Sequence, residues 1–88
     1  MATVWIPPLL RGLVNGQEHV VADGEKVRDL IDALDARFPG LKAGLIEDGE
    51  LRRGVVVTVD GVVSRLGLRQ PVHADSEVHF LPAIGGGA

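Results

Sequence analysis

The chain has 88 residues, a formal net charge of −3 and no cysteine. This length predicts one small domain, and the lack of cysteine excludes disulfides, thiolate metal sites and cysteine nucleophiles. The nine Lys and Arg residues are dispersed and form no basic stripe, no apolar run approaches the roughly 20 residues of a membrane span, and no leader pattern follows Met1. We therefore expect a cytoplasmic protein that binds neither nucleic acid nor a membrane.

The first predicted elements are two strands. Residues 3–6 alternate in polarity as a half-buried strand does, and Pro7-Pro8 ends this strand. After an apolar stretch, Asn15-Gly16 is a strong signal for a two-residue hairpin turn. Residues 18–21 can then return as the second strand of an N-terminal hairpin.

A single long helix follows. Its apolar residues recur at i, i+3, i+4, i+7 and i+11 and form one stripe: Val27, Leu30, Ile31, Leu34 and Phe38. The opposite face is charged, and Arg28 and Asp32 are spaced for an i,i+4 ion pair. Pro39-Gly40 ends the helix, residues 41–46 predict a short helical turn, and residues 47–50 predict a polar loop.

The second half of the chain is rich in strands. Residues 55–59 are β-branched throughout, which predicts a strand at the centre of the sheet, and Asp60-Gly61 predicts a hairpin turn into residues 62–63. Residues 66–75 predict a loop. Residues 77–81 alternate as a last strand, which Pro82 closes.

The order of hairpin, helix, hairpin and final strand is an α+β pattern. It is satisfied by a β-grasp (ubiquitin-like) fold: a mixed sheet of four to five strands around one main helix, with the first and last strands as parallel neighbours at its centre. We expect residues 1–82 to form this domain and residues 83–88 to form a flexible Gly-rich C-terminal tail.

Strand alternation also predicts a partner-binding surface on the face of the sheet opposite the helix. If Val4 and Phe80 point into the core, then Trp5, His79 and Leu81 point outward on neighbouring strands. Large apolar side chains on a solvent-facing surface are typical of partner-binding sites. The alternative is the reversed strand register, in which Trp5 belongs to the core.

Candidate catalytic and metal-binding residues are few. His19, His73 and His79 lie in separate predicted elements without the short spacing of metal ligands, so we expect no metal site. Ser64 and Ser76 lack the sequence context of a catalytic triad. The domain is therefore predicted to be a substrate or carrier, not an enzyme.

The tail is the most informative segment. The last strand runs into Ile84 and then into Gly85-Gly86-Gly87, with Ala88 beyond. Three residues without side chains cannot be there to pack, but they form a thin thread that can enter a narrow site on another protein. The plain alternative is a frayed terminus or an added linker.

Four segments together carry a resemblance: residues 4–11, residues 24–38, residues 74–78 and the ending at 81–87. The chain resembles the MoaD/ThiS-type ubiquitin-like sulfur carriers over nearly its whole length, and among them the carriers of thiocarboxylate-dependent cysteine synthesis. In this family the second glycine of a Gly-Gly pair supplies the reactive carboxylate. Alignment of Leu81-Pro82 with the family pattern places that pair at Gly86-Gly87.

The resemblance implies a reaction and its partners. An E1-like enzyme with bound Mg-ATP would adenylate Gly87, a sulfur source would displace AMP to leave a thiocarboxylate, and the carrier itself would bind no cofactor. Sulfur would then pass to an accepting biosynthetic enzyme, which is cysteine-synthase-like or serves thiamine, the molybdenum cofactor or a secondary metabolite. Partner contacts are expected at Trp5, His79, Leu81, Pro82, Ile84 and Gly85.

Ala88 departs from the family pattern because it lies beyond the reactive glycine. It is removed by a JAMM-type metalloprotease, or it is an added residue, or the chain is not competent as written. Two other functions remain open: a ubiquitin-like modifier joined to lysines of target proteins, and a β-grasp subunit that binds a partner without covalent change.

Overall fold

The computed structural model describes residues 1–82, and these form a sheet packed against one long helix. In chain order the elements are β1 (Ala2–Trp5), a first 3-10 helix (Pro8–Val14), β2 (His19–Ala22), α1 (Val27–Arg37), α2 (Leu41–Leu45), β3 (Ile46–Glu47), β4 (Glu50–Leu51), β5 (Val55–Val59), β6 (Val62–Val63), a second 3-10 helix (Gly67–Arg69) and β7 (Glu77–Pro82).

The main sheet has five strands in the order β2-β1-β7-β5-β6. β1 and β7 pair in parallel, with Thr3 opposite Glu77 and Trp5 opposite His79, and the other neighbours are antiparallel. The parallel pairing of the first and last strands confirms the predicted β-grasp arrangement. β7 is the central strand, as that arrangement requires, and β5 lies beside it. The separate expectation of residues 55–59 at the centre was wrong, because a β-branched run indicates an interior strand but does not say which one lies in the middle.

The core lies between this sheet and α1. Four residues of the predicted stripe are buried on α1, whereas Phe38 follows the end of the helix and is half-buried. The sheet contributes Val4 and Val78 from β1 and β7. Burial of each such aliphatic side chain stabilises the fold by about 1.5–3 kcal/mol relative to exposure. An aliphatic core of this kind can stabilise the domain although the chain has very few aromatic residues.

The prediction of a two-residue hairpin turn at Asn15-Gly16 was wrong. β1 and β2 do pair as antiparallel neighbours, but the first 3-10 helix connects them, and Asn15 ends this helix in the left-handed conformation (φ 57°). The Gly16 N–H donates to the Arg11 carbonyl at 2.7 Å. Pro8 occupies the first turn of the helix, where its fixed φ is compatible with helical geometry, and Val14 is fully buried.

The predicted polar loop at residues 47–50 is a small hairpin instead. β3 and β4 pair around Asp48-Gly49, whose φ angles of 54° and 79° match the turn at Asp60-Gly61, with 51° and 84°. Positive φ at both central residues is what a two-residue hairpin turn requires. Strands of two residues are too short to show alternation in the sequence, so only the Asp-Gly pair could have signalled this element.

Candidate functional site

The face of the main sheet opposite α1 carries an aromatic cluster made of Trp5, His19 and His79. The Trp5 ring stacks on His79 with centroids 5.2 Å apart and planes within 5°, and His19 lies 4.6 Å from Trp5 in a tilted arrangement. The Trp5 Nε1–H also donates to Glu77 Oε1 at 3.3 Å. The three rings come from β1, β2 and β7, and the indole is therefore held in one orientation on the sheet surface.

The strand register agrees with the outward placement of the predicted surface residues. Val4, Val78 and Phe80 are at most 3% exposed, whereas Trp5 and His79 are half-buried and Leu81 is 43% exposed. The reversed register, with Trp5 in the core, is therefore excluded. The role of Trp5, His79 and Leu81 in binding a partner stays a prediction.

Thr58 shows where the sheet surface changes. It lies opposite His79 on β5 but is only 8% exposed, so it adds no surface, whereas the half-buried Val56 lies opposite Leu81. The accessible apolar part of this face thus runs from Trp5 towards Leu81. It leads to the end of β7, from which the tail continues.

An apolar groove that the sequence did not predict lies at this end of β7. It has a volume of about 410 Å³ and is lined by side chains of the Pro7–Leu10 segment, by Phe80, Leu81 and Pro82, and by the start of β5. Leu9 is 97% exposed beside it. At Gly44 a Cβ atom would lie 2.5 Å from a methyl carbon of Leu10, so this glycine lets Leu10 pack closely. The only signal in the sequence was the apolar run Pro7–Leu10 itself.

Pro82 is exposed and is the last residue that the structure describes. The predicted functional residues Ile84, Gly85, Gly86 and Gly87 lie outside the described residues, as does Ala88. What the structure does show is the position from which they continue: the end of the central strand, at the apolar groove that Pro82 lines.

The Ser76 hydroxyl belongs to a hydrogen-bond network that joins two parts of the sheet. Its hydroxyl accepts the His73 N–H at 2.8 Å and donates to Asp60 Oδ2 at 3.0 Å, while Asp60 Oδ1 accepts the Glu77 N–H at 2.9 Å. Ser76 is 2% exposed. This network joins the β5–β6 turn to the start of β7, because Asp60 forms part of that turn.

Within residues 1–82, no group of three or more His, Cys, Asp or Glu side chains is arranged to hold a metal ion. The tilted His19 ring and the stacked His79 ring both lie against Trp5 rather than around a common point. The same residues contain no helix with the length and apolar character needed to cross a membrane.

Comparisons with known proteins give a consistent result. The ThiS family model matches residues 5–87. The chain is 33% identical to the sulfur carrier protein CysO of Mycobacterium tuberculosis over 90 residues, which cover 97% of each chain. It is 34% identical to small archaeal modifier protein 3 of Haloferax volcanii over 84% of this chain and 86% of that protein.

A solved structure supports the same assignment. The fold superposes with a TM-score of 0.89 on a chain in the crystal structure of the Amycolatopsis orientalis BexX/CysO complex, at 34% identity over 98% of this chain and 99% of that chain. The family model covers nearly all of the present sequence, and the fold agrees with that of the solved CysO chain. The chain therefore belongs to the ThiS family of ubiquitin-like sulfur carriers.

Proposed function

We propose that this chain carries sulfur as a thiocarboxylate on Gly87 and delivers it to a biosynthetic enzyme in the cytoplasm, with cysteine synthesis as the first candidate pathway. The observation that carries the proposal is the family match, which runs through the glycines and ends at Gly87. Similarity to CysO over 97% of the chain supports cysteine synthesis over the other recipients. In this proposal the chain is a substrate of its partner enzymes and not a catalyst.

The chemistry needs two steps because a carboxylate is a poor electrophile. First, a Gly87 carboxylate oxygen attacks the α-phosphorus of ATP on an E1-like enzyme, which releases pyrophosphate and leaves an acyl-adenylate. Sulfide, or the terminal sulfur of a persulfide, then attacks the carbonyl carbon, and the C–O bond to AMP breaks. With a persulfide, a thiol must reduce the remaining S–S bond before the thiocarboxylate is released.

The chain contributes a tail that fits a confined site. Gly85, Gly86 and Gly87 have no side chains, so a partner can enclose the backbone and hold the carbonyl close to the attacking group. Any residue beyond Gly87 has to be removed first, since only a C-terminal carboxylate can be adenylated. A JAMM-type metalloprotease is the proposed agent for removal of Ala88.

The proposed docking surface for the E1-like enzyme consists of the exposed side of Trp5, His79, Leu81 and Pro82. This surface adjoins the start of the tail, so a partner bound there would receive the glycines directly. Its apolar and aromatic character suits a protein partner. The A. orientalis relative was crystallised in a complex with BexX, which supports recognition of this kind of fold by a second protein.

The test is the intact mass of a chain produced to end at Gly87 after incubation with the cognate E1-like enzyme, Mg-ATP and sulfide. We expect the mass gain of one oxygen replaced by sulfur, and no gain when ATP is omitted. The matched control is the chain that retains Ala88, which should stay unmodified until a protease trims it. A trimmed chain that is neither adenylated nor thiolated would overturn the proposal.

A second function, modification of proteins, is favoured by the similarity to small archaeal modifier protein 3. Both functions share the adenylation of Gly87, and they differ in what attacks the activated carbonyl. Amide-linked adducts on lysines of other proteins, formed in the same assay with cell extract added, would assign the chain to modification. A thiocarboxylate that is consumed with formation of a sulfur-containing small molecule would assign it to sulfur transfer.

A further inference from the structure

Three arginines converge on one pocket at a distance in the fold from the proposed docking surface. Arg28 comes from α1, Arg65 follows β6, and Arg69 belongs to the second 3-10 helix. All three line a single concave pocket of about 370 Å³, and Glu50 is the one acidic residue among the described residues that line it. This pocket shares no lining residue with the apolar groove at the end of β7.

The acidic residues that could neutralise Arg28 are engaged elsewhere. Asp32 was expected to pair with Arg28, but Asp32 Oδ1 lies 2.8 Å from Lys42 Nζ instead. Asp29 Oδ2 accepts the backbone N–H groups of Glu25 and Lys26 at 3.2 and 3.1 Å, at the start of α1. Its carboxylate therefore stabilises the helix terminus.

No ion pair within residues 1–82 involves Arg28, Arg65 or Arg69. Three positive charges thus face one negative charge at this pocket, although the whole chain carries a net charge of −3. Like charges in one pocket repel one another, and an anion bound there would be attracted to all three arginines and offset this repulsion. The local excess of positive charge is what singles the pocket out.

The pocket also has an apolar side. Leu51, Leu66 and Leu68 line it together with the arginines, and Leu66 is 47% exposed. A site that combines guanidinium groups with leucine side chains suits a ligand that has both an anionic and a less polar part. The volume falls in the range of small-molecule sites, which is about 300–1,000 Å³.

We propose that this pocket binds a phosphate-bearing small molecule, with the phosphate on Arg28, Arg65 and Arg69 and any organic part against the leucines. The planar fork of arginine matches the oxygens of a phosphate group and forms charge-assisted hydrogen bonds with it. The source is either a nucleotide or inorganic phosphate. This binding is separate from the Mg-ATP that the proposed E1-like partner would use.

A compact anion fits better than an extended acidic segment of a protein. The three arginines line one concave pocket of about 370 Å³, so a small ligand can contact all of them at once. The adjoining grooves carry both signs of charge, with Glu25 and Lys26 on one side and Asp32 and Lys42 on the other, so they offer an acidic chain no continuous basic track.

The test is a titration of the isolated, ¹⁵N-labelled chain with pyrophosphate, AMP and adenosine, followed by NMR. Pyrophosphate or AMP should shift the Nε–H signals of Arg28, Arg65 and Arg69, and adenosine alone should not. Arg65→Ala and Arg69→Ala should each weaken binding about three- to tenfold, because each removes one exposed charge-assisted contact. Arg53→Ala is the matched control, since Arg53 is exposed and lies outside the pocket.

The comparison of ligands identifies the source. Tighter binding of AMP than of pyrophosphate would support a nucleotide, and the reverse would support inorganic phosphate. The proposal is overturned if the shifts are spread over all basic residues, if Arg53→Ala weakens binding as much as the pocket variants do, or if poly-glutamate binds as tightly as the phosphate compounds. Because the assay contains no partner enzyme, its failure would leave the proposed sulfur transfer untouched.

Discussion

Single residues decide which face of the sheet can meet a partner. In a strand the side chains alternate, so burial of Val78 and Phe80 places His79 and Leu81 on the other face. Trp5 occupies the matching position of the neighbouring parallel strand. One residue of register is therefore enough to turn an aromatic core residue into a surface residue, and the structure has Trp5 on the surface.

Leu81→Glu should weaken binding to the E1-like enzyme that we propose as the partner, while the domain stays folded. Leu81 is already 43% exposed, so the free energy of unfolding should fall by less than about 1 kcal/mol. A charge at an apolar contact should reduce affinity about tenfold or more. Isothermal titration calorimetry measures the affinity, and urea denaturation measures the stability.

The control for this substitution is Val62→Glu. Val62 is 69% exposed on the edge strand β6 and is not part of the proposed docking surface. It should leave the affinity unchanged. Equal losses from both variants would point to a general effect of charge and would contradict the assignment of this surface.

At the scale of elements, the same residue types serve different purposes. Asp48-Gly49 and Asp60-Gly61 form two-residue hairpin turns, whereas Asn15 and Gly16, also at positive φ, end a 3-10 helix. Each pair needs the left-handed conformation, which Asn, Asp and Gly adopt at low cost. The pair predicts where the chain reverses or stops, and the flanking segments decide which element results.

Gly61→Ala should destabilise the protein through its backbone alone. Gly61 has φ 84°, and an added Cβ would meet no atom within 4 Å. The left-handed conformation costs a residue with a Cβ about 1 kcal/mol, so the free energy of unfolding should fall by about that amount. Urea denaturation at constant pH measures the change.

Gly12→Ala is the matched control in the first 3-10 helix. Gly12 also has open space around a Cβ, but its φ is not positive. This variant should keep the wild-type stability or gain up to about 1 kcal/mol, because alanine reduces the freedom of the unfolded chain. If Gly61→Ala were as stable as Gly12→Ala, the turn geometry would not be what limits this position.

For the whole molecule, the pairing of β1 with β7 is the decisive contact. It joins the two ends of the domain in the middle of the sheet, and β7 also pairs with all five residues of β5. The network of Ser76 and Asp60 fixes the start of β7. The strand that completes the fold is thus the one that leads into residues 83–88.

Truncation tests whether residues 1–82 are sufficient for the folded domain. A chain of residues 1–82 should unfold cooperatively with a midpoint within about 2 °C of the full chain, because all elements of the sheet are retained. A chain of residues 1–76 should show no cooperative transition, since it lacks the central strand. Differential scanning calorimetry measures both; a fall of many degrees in the first variant would show that residues 83–88 contribute to the fold.

Local patterns in the sequence were sufficient for much of the fold and part of the candidate site. Alternation identified the faces of β1 and β7, the 3.6-residue period identified the buried stripe of α1, and the ending 81–87 identified the family. These features depend on neighbouring residues, so the chain displays them directly. The tail glycines are likewise visible in the sequence, and the assignment of Gly86-Gly87 as the family's glycine pair came from sequence resemblance.

Only the tertiary structure decided the remaining features. The apolar groove beside Leu81 and the convergence of Arg28, Arg65 and Arg69 each bring together segments that are distant in sequence. Asp32 pairs with Lys42 and not with Arg28 because α2 packs beside α1 and brings Lys42 Nζ within 2.8 Å of Asp32 Oδ1. Contacts between elements depend on packing of the whole core, and no local pattern of residues records them.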